Sequence, residues 1–182
     1  MKKHNLAFID LETTGFDPYK QEIIQIGCVI AEQEETPKGP KLKIIKEFEL
    51  KVKPEKLQDA DPEALRINGY NEMEWVFATD LKSAIEHLMK EASDCIMVSH
   101  NVAFDYSFLQ RAFSVTGIQN TLHYHKLDTI SIAFAKLYGN PEVRRFSLQA
   151  LCEYFGIENK QAHTALSDVK AMVELYQKLL GS

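Results

Sequence analysis

The sequence predicts an α/β domain: a mixed sheet with helices packed on its faces. Three observations carry that prediction. Apolar, β-branched runs follow one another early in the chain, apolar stripes at helical spacing take over after Asp61, and short buried runs then alternate with those stripes. The 182 residues, 45% of them hydrophobic, are enough to bury a sizeable core. Neither a repeat nor a linker divides them, so residues 1–182 read as a single domain.

The first strand is centred on Phe8-Ile9-Asp10-Leu11-Glu12 and runs into a turn from Gly15 to Tyr19. A second strand, Glu22 to Ile30, is rich in branched apolar residues; after a polar loop from Glu32 to Pro40, a third covers about Lys43 to Lys53. Three successive strands with short connections predict an antiparallel meander. Asp61-Pro62-Glu63 then has the form of a helix cap followed by proline at the first helical position, and the helix stops near Asn68-Gly69. Asp80 caps a second helix with the stripe Leu81, Ala84, Ile85, Leu88 and Met89. Cys95 to Val98 is a short buried strand leading into a helix from about Val102 to Ser114. A further strand is expected over Leu122 to Leu127, and a helix from Asp128 or Thr129 to about Tyr138. Ser147 caps a helix ending at Gly156, and the last helix runs from about Thr164 to Leu180.

A formal net charge of -5 argues against a protein that grips long nucleic acid by general electrostatic attraction. It leaves room for one that holds a few nucleotides at a metal site, where cations offset the local carboxylate charge. Cys28, Cys95 and Cys152 form no C-x-x-C pair and sit among apolar neighbours, the setting of reduced, buried thiols in an intracellular, cytoplasmic protein. Lys2 and Lys3 resemble the start of a signal peptide, but Asp10 and Glu12 break the apolar stretch behind them and no longer one follows. Neither export by that route nor a membrane span is expected.

Asp10 and Glu12 are two apart on a strand and therefore project from the same face. Two adjacent carboxylates at the end of a buried strand repel each other and resist desolvation, a cost that a divalent cation or a shared proton offsets. Alone, Asp-x-Glu is equally at home at a solvated strand end. Ser99-His100-Asn101-Val102-Ala103-Phe104-Asp105 adds a second acidic position at a junction of strand and helix, where polar groups gather at a sheet's carboxyl end. Asp105 lies about 100° around the helix from Phe104 and so borders the core. A surface aspartate in a first helical turn is the plainer reading of that residue, as a cap is of His100 and Asn101.

The third cluster is Ala162-His163-Thr164-Ala165-Leu166-Ser167-Asp168. Within one helix His163 and Asp168 would stand about 140° apart, so His163 is expected in the loop just ahead of it, free to swing toward a site that Asp168 helps to build. Four carboxylates and one histidine suit two-metal phosphoryl chemistry. An imidazole with an ordinary pKa of about 6.5 accepts a proton near neutrality, which a metal-bound carboxylate does poorly.

FIDLETTG, HNVAFD and HTALSD, in that order and spacing, resemble the three motifs of the DEDDh (DnaQ-like) 3′-to-5′ exonucleases, a group that includes the epsilon subunit of DNA polymerase III and ribonuclease T. The resemblance spans nearly the whole chain. It implies a ribonuclease H-like fold with a mixed five-stranded sheet, metal ligands Asp10, Glu12, Asp105 and Asp168, two Mg2+ or Mn2+ ions, and His163 as general base. It also implies a nucleic-acid 3′ end, single-stranded or frayed, as the partner. Thr13, Glu63, Ile67, Asn68 and Phe104 would hold the last nucleotide. Asn68 stands where the epsilon subunit has histidine, and Gln25 in IIQIG stands where many relatives have glutamate. The chain stops at Gly181-Ser182 after its last helix, so association through a polymerase-binding tail of the epsilon kind is not expected. Arg144, Arg145 and Lys160 are possible strand contacts, though scattered cations on an acidic protein are commonly only solvated surface. A non-catalytic nucleic-acid-binding module on the same fold is the rival reading, and the complete set of motif carboxylates weighs against it.

Overall fold

The computed structural model describes residues 4–37, 39–159 and 164–181. Five strands form one sheet in the order β3-β2-β1-β4-β5. The meander is β1 (Leu6–Thr13), β2 (Ile23–Thr36) and β3 (Gly39–Lys51), paired antiparallel; β4 (Ile96–Ser99) joins β1 in parallel, and β5 (Lys126–Asp128) joins β4 in parallel. The helices are α1 (Pro62–Asn68), α2 (Leu81–Glu91), α3 (Val102–Thr116), α4 (Thr129–Leu137), α5 (Leu148–Phe155) and α6 (Ala165–Gly181).

Capping residues set the helix starts as the sequence predicts. Asp61 accepts from the Glu63 amide ahead of α1, Asp80 from Ser83 ahead of α2, and Ser147 from Ala150 ahead of α5. Gly69 ends α1 at φ 66°, a left-handed conformation that costs glycine little.

Alternation along β1 divides the core. Ala7, Ile9 and Leu11 face α2 and α3, packing with Ile85, Leu88, Phe108 and Leu109. Leu6 and Phe8 face α6, where Phe8 meets Tyr176 edge-on at 5.4 Å between ring centroids, beside Val169 and Met172. Asp10 and Glu12 have the parity of Leu6 and Phe8 and so emerge on the α6 side.

Two expectations are corrected. The polar stretch Glu32 to Pro40 is not a loop: β2 continues to Thr36 and β3 begins at Gly39, making a long hairpin arm. Polarity suits it because the arm is largely solvated and its charges are paired in register: Glu32 lies opposite Lys43 and Glu34 opposite Lys41, with the Lys43 ammonium 3.9 and 3.7 Å from the two carboxylates. The fifth strand is Lys126–Asp128 rather than Leu122 to Leu127; Leu122 is buried against the α2 and α3 layer from a loop, which accounts for its apolar character. The sequence also gave no warning of the turns from Asn71 to Phe77, through which Trp75 returns to the sheet and donates to the Ile24 carbonyl at 2.9 Å.

Candidate active site

The site forms where β1 ends. A register shift between Glu12 and Thr13 interrupts pairing with β2, and the Asn68 side chain closes the gap by donating to the Thr13 carbonyl at 3.0 Å. The Thr13 hydroxyl is turned to the Gly15 carbonyl, 2.6 Å away. From the facing helix, Asp168 is one turn ahead of Met172, which places its carboxylate at the end of the stripe that packs on Phe8.

Glycine makes that approach possible. Gly27 is the β2 partner of Asp10, and a Cβ there would stand 2.4 Å from the Ala165 carbonyl carbon. The first turn of α6 therefore lies directly on β2. Its amides are met from the sheet: Ala165 N–H donates to the Gln25 side-chain oxygen and Leu166 N–H to a Glu49 carboxylate oxygen, each at 3.2 Å. Gln25, which the sequence left unexplained, pins the helix that carries Asp168.

Asp10, Glu12 and Asp168 are brought together: each offers a carboxylate oxygen within 4.8 Å of the others. Asp105, from α3, is outside that trio but adjoins it; it is buried and accepts the Leu11 amide at 3.0 Å. Burial and the neighbouring Asp105, Glu12 and Asp168 charges hold the Asp10 carboxyl well above the usual carboxylate range. Burial, then the charges of Asp168 and Glu49, push Glu12 up to about 7. Every charge bearing on these two groups is negative, which is a donor set fitted to a hard divalent cation.

Asn159, which no motif signalled, extends the site. Its amide donates to Asp168, and its carbonyl oxygen accepts the Ser167 hydroxyl at 2.8 Å, so it holds the carboxylate from the loop after α5. His163 and Lys160 lie outside the described residues.

The expected substrate contacts divide into groups. Ile67 and Asn68 line a cavity of about 270 Å³ with Glu49, Lys51, Glu74, Trp75 and Gln25, the last being the β2 partner of Glu12. Phe104 borders the site from α3 and meets the exposed Phe16 edge-on at 6.2 Å. Glu63 is on the exposed side of α1, its carboxylate held by Arg66 at 2.6 and 2.8 Å. His100 is a structural latch, in contact with the Thr129 hydroxyl at 2.8 Å and the Phe146 carbonyl at 2.9 Å. Asn101 supplies no side-chain cap; Asp128 accepts the Asn101 amide instead. Arg144 and Arg145 are exposed just ahead of α5.

A five-stranded mixed sheet with acidic residues gathered where the central strand ends defines the class, a ribonuclease H-like fold. Residues 7–176 match the exonuclease family RNase_T, and the chain belongs to this family of DnaQ-like 3′-to-5′ exonucleases. Ribonuclease T of Haemophilus influenzae is 30% identical over 183 residues, covering 93% of this chain and 76% of that protein. DNA polymerase III subunit epsilon of Rickettsia prowazekii is 30% identical over 182 residues, covering 95% and 72%. A PolC-type DNA polymerase III of Caldanaerobacter subterraneus is 28% identical, and there the chain spans only 11% of the relative's length. Among solved structures, E. coli exonuclease I in complex with a dT13 oligonucleotide superposes with a TM-score of 0.78 at 19% identity, covering 97% of this chain and 41% of that one.

Proposed function

We propose that the chain hydrolyses the last phosphodiester at a nucleic-acid 3′ end, DNA in the first place, and releases nucleoside 5′-monophosphates. The observation that carries this reading is the convergence of Asp10, Glu12 and Asp168 within 4.8 Å. With Asp105 alongside, these residues would hold two divalent cations, Mg2+ or Mn2+. Such ions, when bound, polarise a phosphate and make a water more acidic. His163 would take the proton from the attacking water on a ring nitrogen. Asn68, which lines the cavity, holds the Thr13 carbonyl, and Ile67 and Phe104 would offer apolar surface to the terminal sugar and base. RNA is the second reading, favoured by the ribonuclease T relatives, which are as similar to this chain as the epsilon subunits.

The test is cleavage of matched, labelled single-stranded DNA, duplex DNA and RNA, with products resolved by length. Cleavage from the 3′ end in Mg2+ or Mn2+ is expected, with loss in chelator. Asp10→Ala and His163→Ala should each lower the rate by at least about 10³-fold while circular dichroism stays unchanged. Wild-type rates in either variant, or activity indifferent to chelator, would remove the mechanism.

A further inference from the structure

A second concavity, of about 380 Å³, opens between the turn that follows β1 and the flank of α3. Its floor is apolar and buried, with Val52 and Phe108 at 1% and 2% exposure. Its rim is cationic: Lys53, Lys56, Lys82 and Arg111 all border it, and none of the four has a carboxylate partner among the described residues. Three carboxylates, Glu22, Glu55 and Asp80, share the rim with these four cations and with Lys20, which is ion-paired to Asp17. Glu22 accepts the Glu55 and Lys56 amides at 3.0 and 2.7 Å, and Asp80 accepts the Ser83 amide and hydroxyl at 2.9 and 2.7 Å. On a chain of net charge -5 an excess of cations over carboxylates around an apolar floor is a local reversal.

Aromatic surface leads from the carboxylates to this groove. Phe16 and Tyr19, both 78% exposed, stand on the turn between them, and the Arg111 guanidinium lies over the Tyr19 ring at 5.5 Å. Exposed rings interleaved with unpaired cations are the features that hold a single strand by stacking and phosphate contact. Arg111 follows Asp105 by six residues on the same helix, roughly 9 Å further along its axis and about 120° around it, so a strand would have to pass around the flank of α3 to reach both.

We infer that this groove is a track for the phosphodiester backbone of the strand upstream of its 3′ end, with Lys53, Lys56, Lys82 and Arg111 on phosphates and Tyr19 under a base. The inference rests on the exonuclease reading of the carboxylate site. It explains how an acidic protein retains a strand: the contact is confined to one groove, apart from the carboxylates.

The test uses the Lys53→Gln/Lys56→Gln/Arg111→Gln variant and two probes. Binding of 5′-fluorescein (dT)12 is followed by anisotropy in chelator, where no cleavage occurs, across a range of salt. Hydrolysis of the p-nitrophenyl ester of thymidine 5′-monophosphate is followed in Mn2+. The variant should bind (dT)12 at least about tenfold more weakly, with a log-log salt slope smaller by about 2, and should hydrolyse the ester at the wild-type rate. Unchanged (dT)12 affinity and slope would overturn the track. Equal loss of affinity for adenosine 5′-monophosphate would make the groove a mononucleotide site and likewise overturn it. Should the wild type cleave nothing, the exonuclease reading fails by itself, and the anisotropy still reports on the groove.

Discussion

Ionising Glu12, buried and beside Asp168 and Glu49, costs free energy, and the sign of that cost is testable. Its pKa rises from 4.5 to about 7 in the folded chain, so between those values the native protein holds a proton that the unfolded chain has released. Stability without metal is therefore full below about pH 4.5 and is lost as pH climbs through about 7, by up to about 3 kcal/mol for this one group. Urea titrations in chelator from pH 5 to 8.5 should show the decline, and Glu12→Gln should flatten it; a variant that tracks the wild type would assign the decline elsewhere. Asn159 acts at the same scale. Its hydrogen bond fixes the orientation of the Asp168 carboxylate, so Asn159→Ala should weaken Mn2+ binding, read by calorimetry, about 10- to 100-fold with little change in melting temperature.

At the scale of elements, the seating of α6 on β2 decides whether the carboxylates converge. Gly27→Ala places a methyl group against backbone that has no flexible end to yield. The helix must shift, at a cost of about 1–3 kcal/mol in stability, and turnover should fall about 10²-fold as Asp168 moves off the β1 pair. Denaturation midpoints and single-turnover rates on one preparation separate the two effects. This packing also shows what a sequence can and cannot convey. Asp10 and Glu12 are legible because strand parity is local, and the caps at Asp61, Asp80 and Ser147 because a cap is read within three residues. Gly27 and Gln25 are silent because their partner, Ala165, is more than 130 residues further along the chain, and no local pattern encodes that meeting. Asn159 is only nine residues from Asp168, but an asparagine ahead of a helix has no pattern that marks it as a carboxylate's partner. The hairpin arm was missed for a different reason: its stability is cross-strand charge pairing, which in one dimension looks like a polar loop.

For the whole molecule, a cation bound by these carboxylates stabilises the native state alone, because the unfolded chain disperses them. At about 100 times its dissociation constant such an ion adds roughly 2.7 kcal/mol, and a protein of this size should melt about 5–10 °C higher in saturating Mn2+ than in chelator. An Asp10→Asn/Asp168→Asn variant should show no such rise in a scanning calorimeter; an equal rise would place the ion elsewhere. One further property follows from the turns that carry Trp75 back to the sheet. It is the only tryptophan in the chain, it is 5% exposed, and it forms part of the wall where the terminal nucleotide is expected to rest. The ultraviolet emission of the unlabelled protein therefore comes from a single indole in the wall of the cavity lined by Ile67 and Asn68, and under the proposed function a nucleotide docking there should dim or shift that light without any dye being attached.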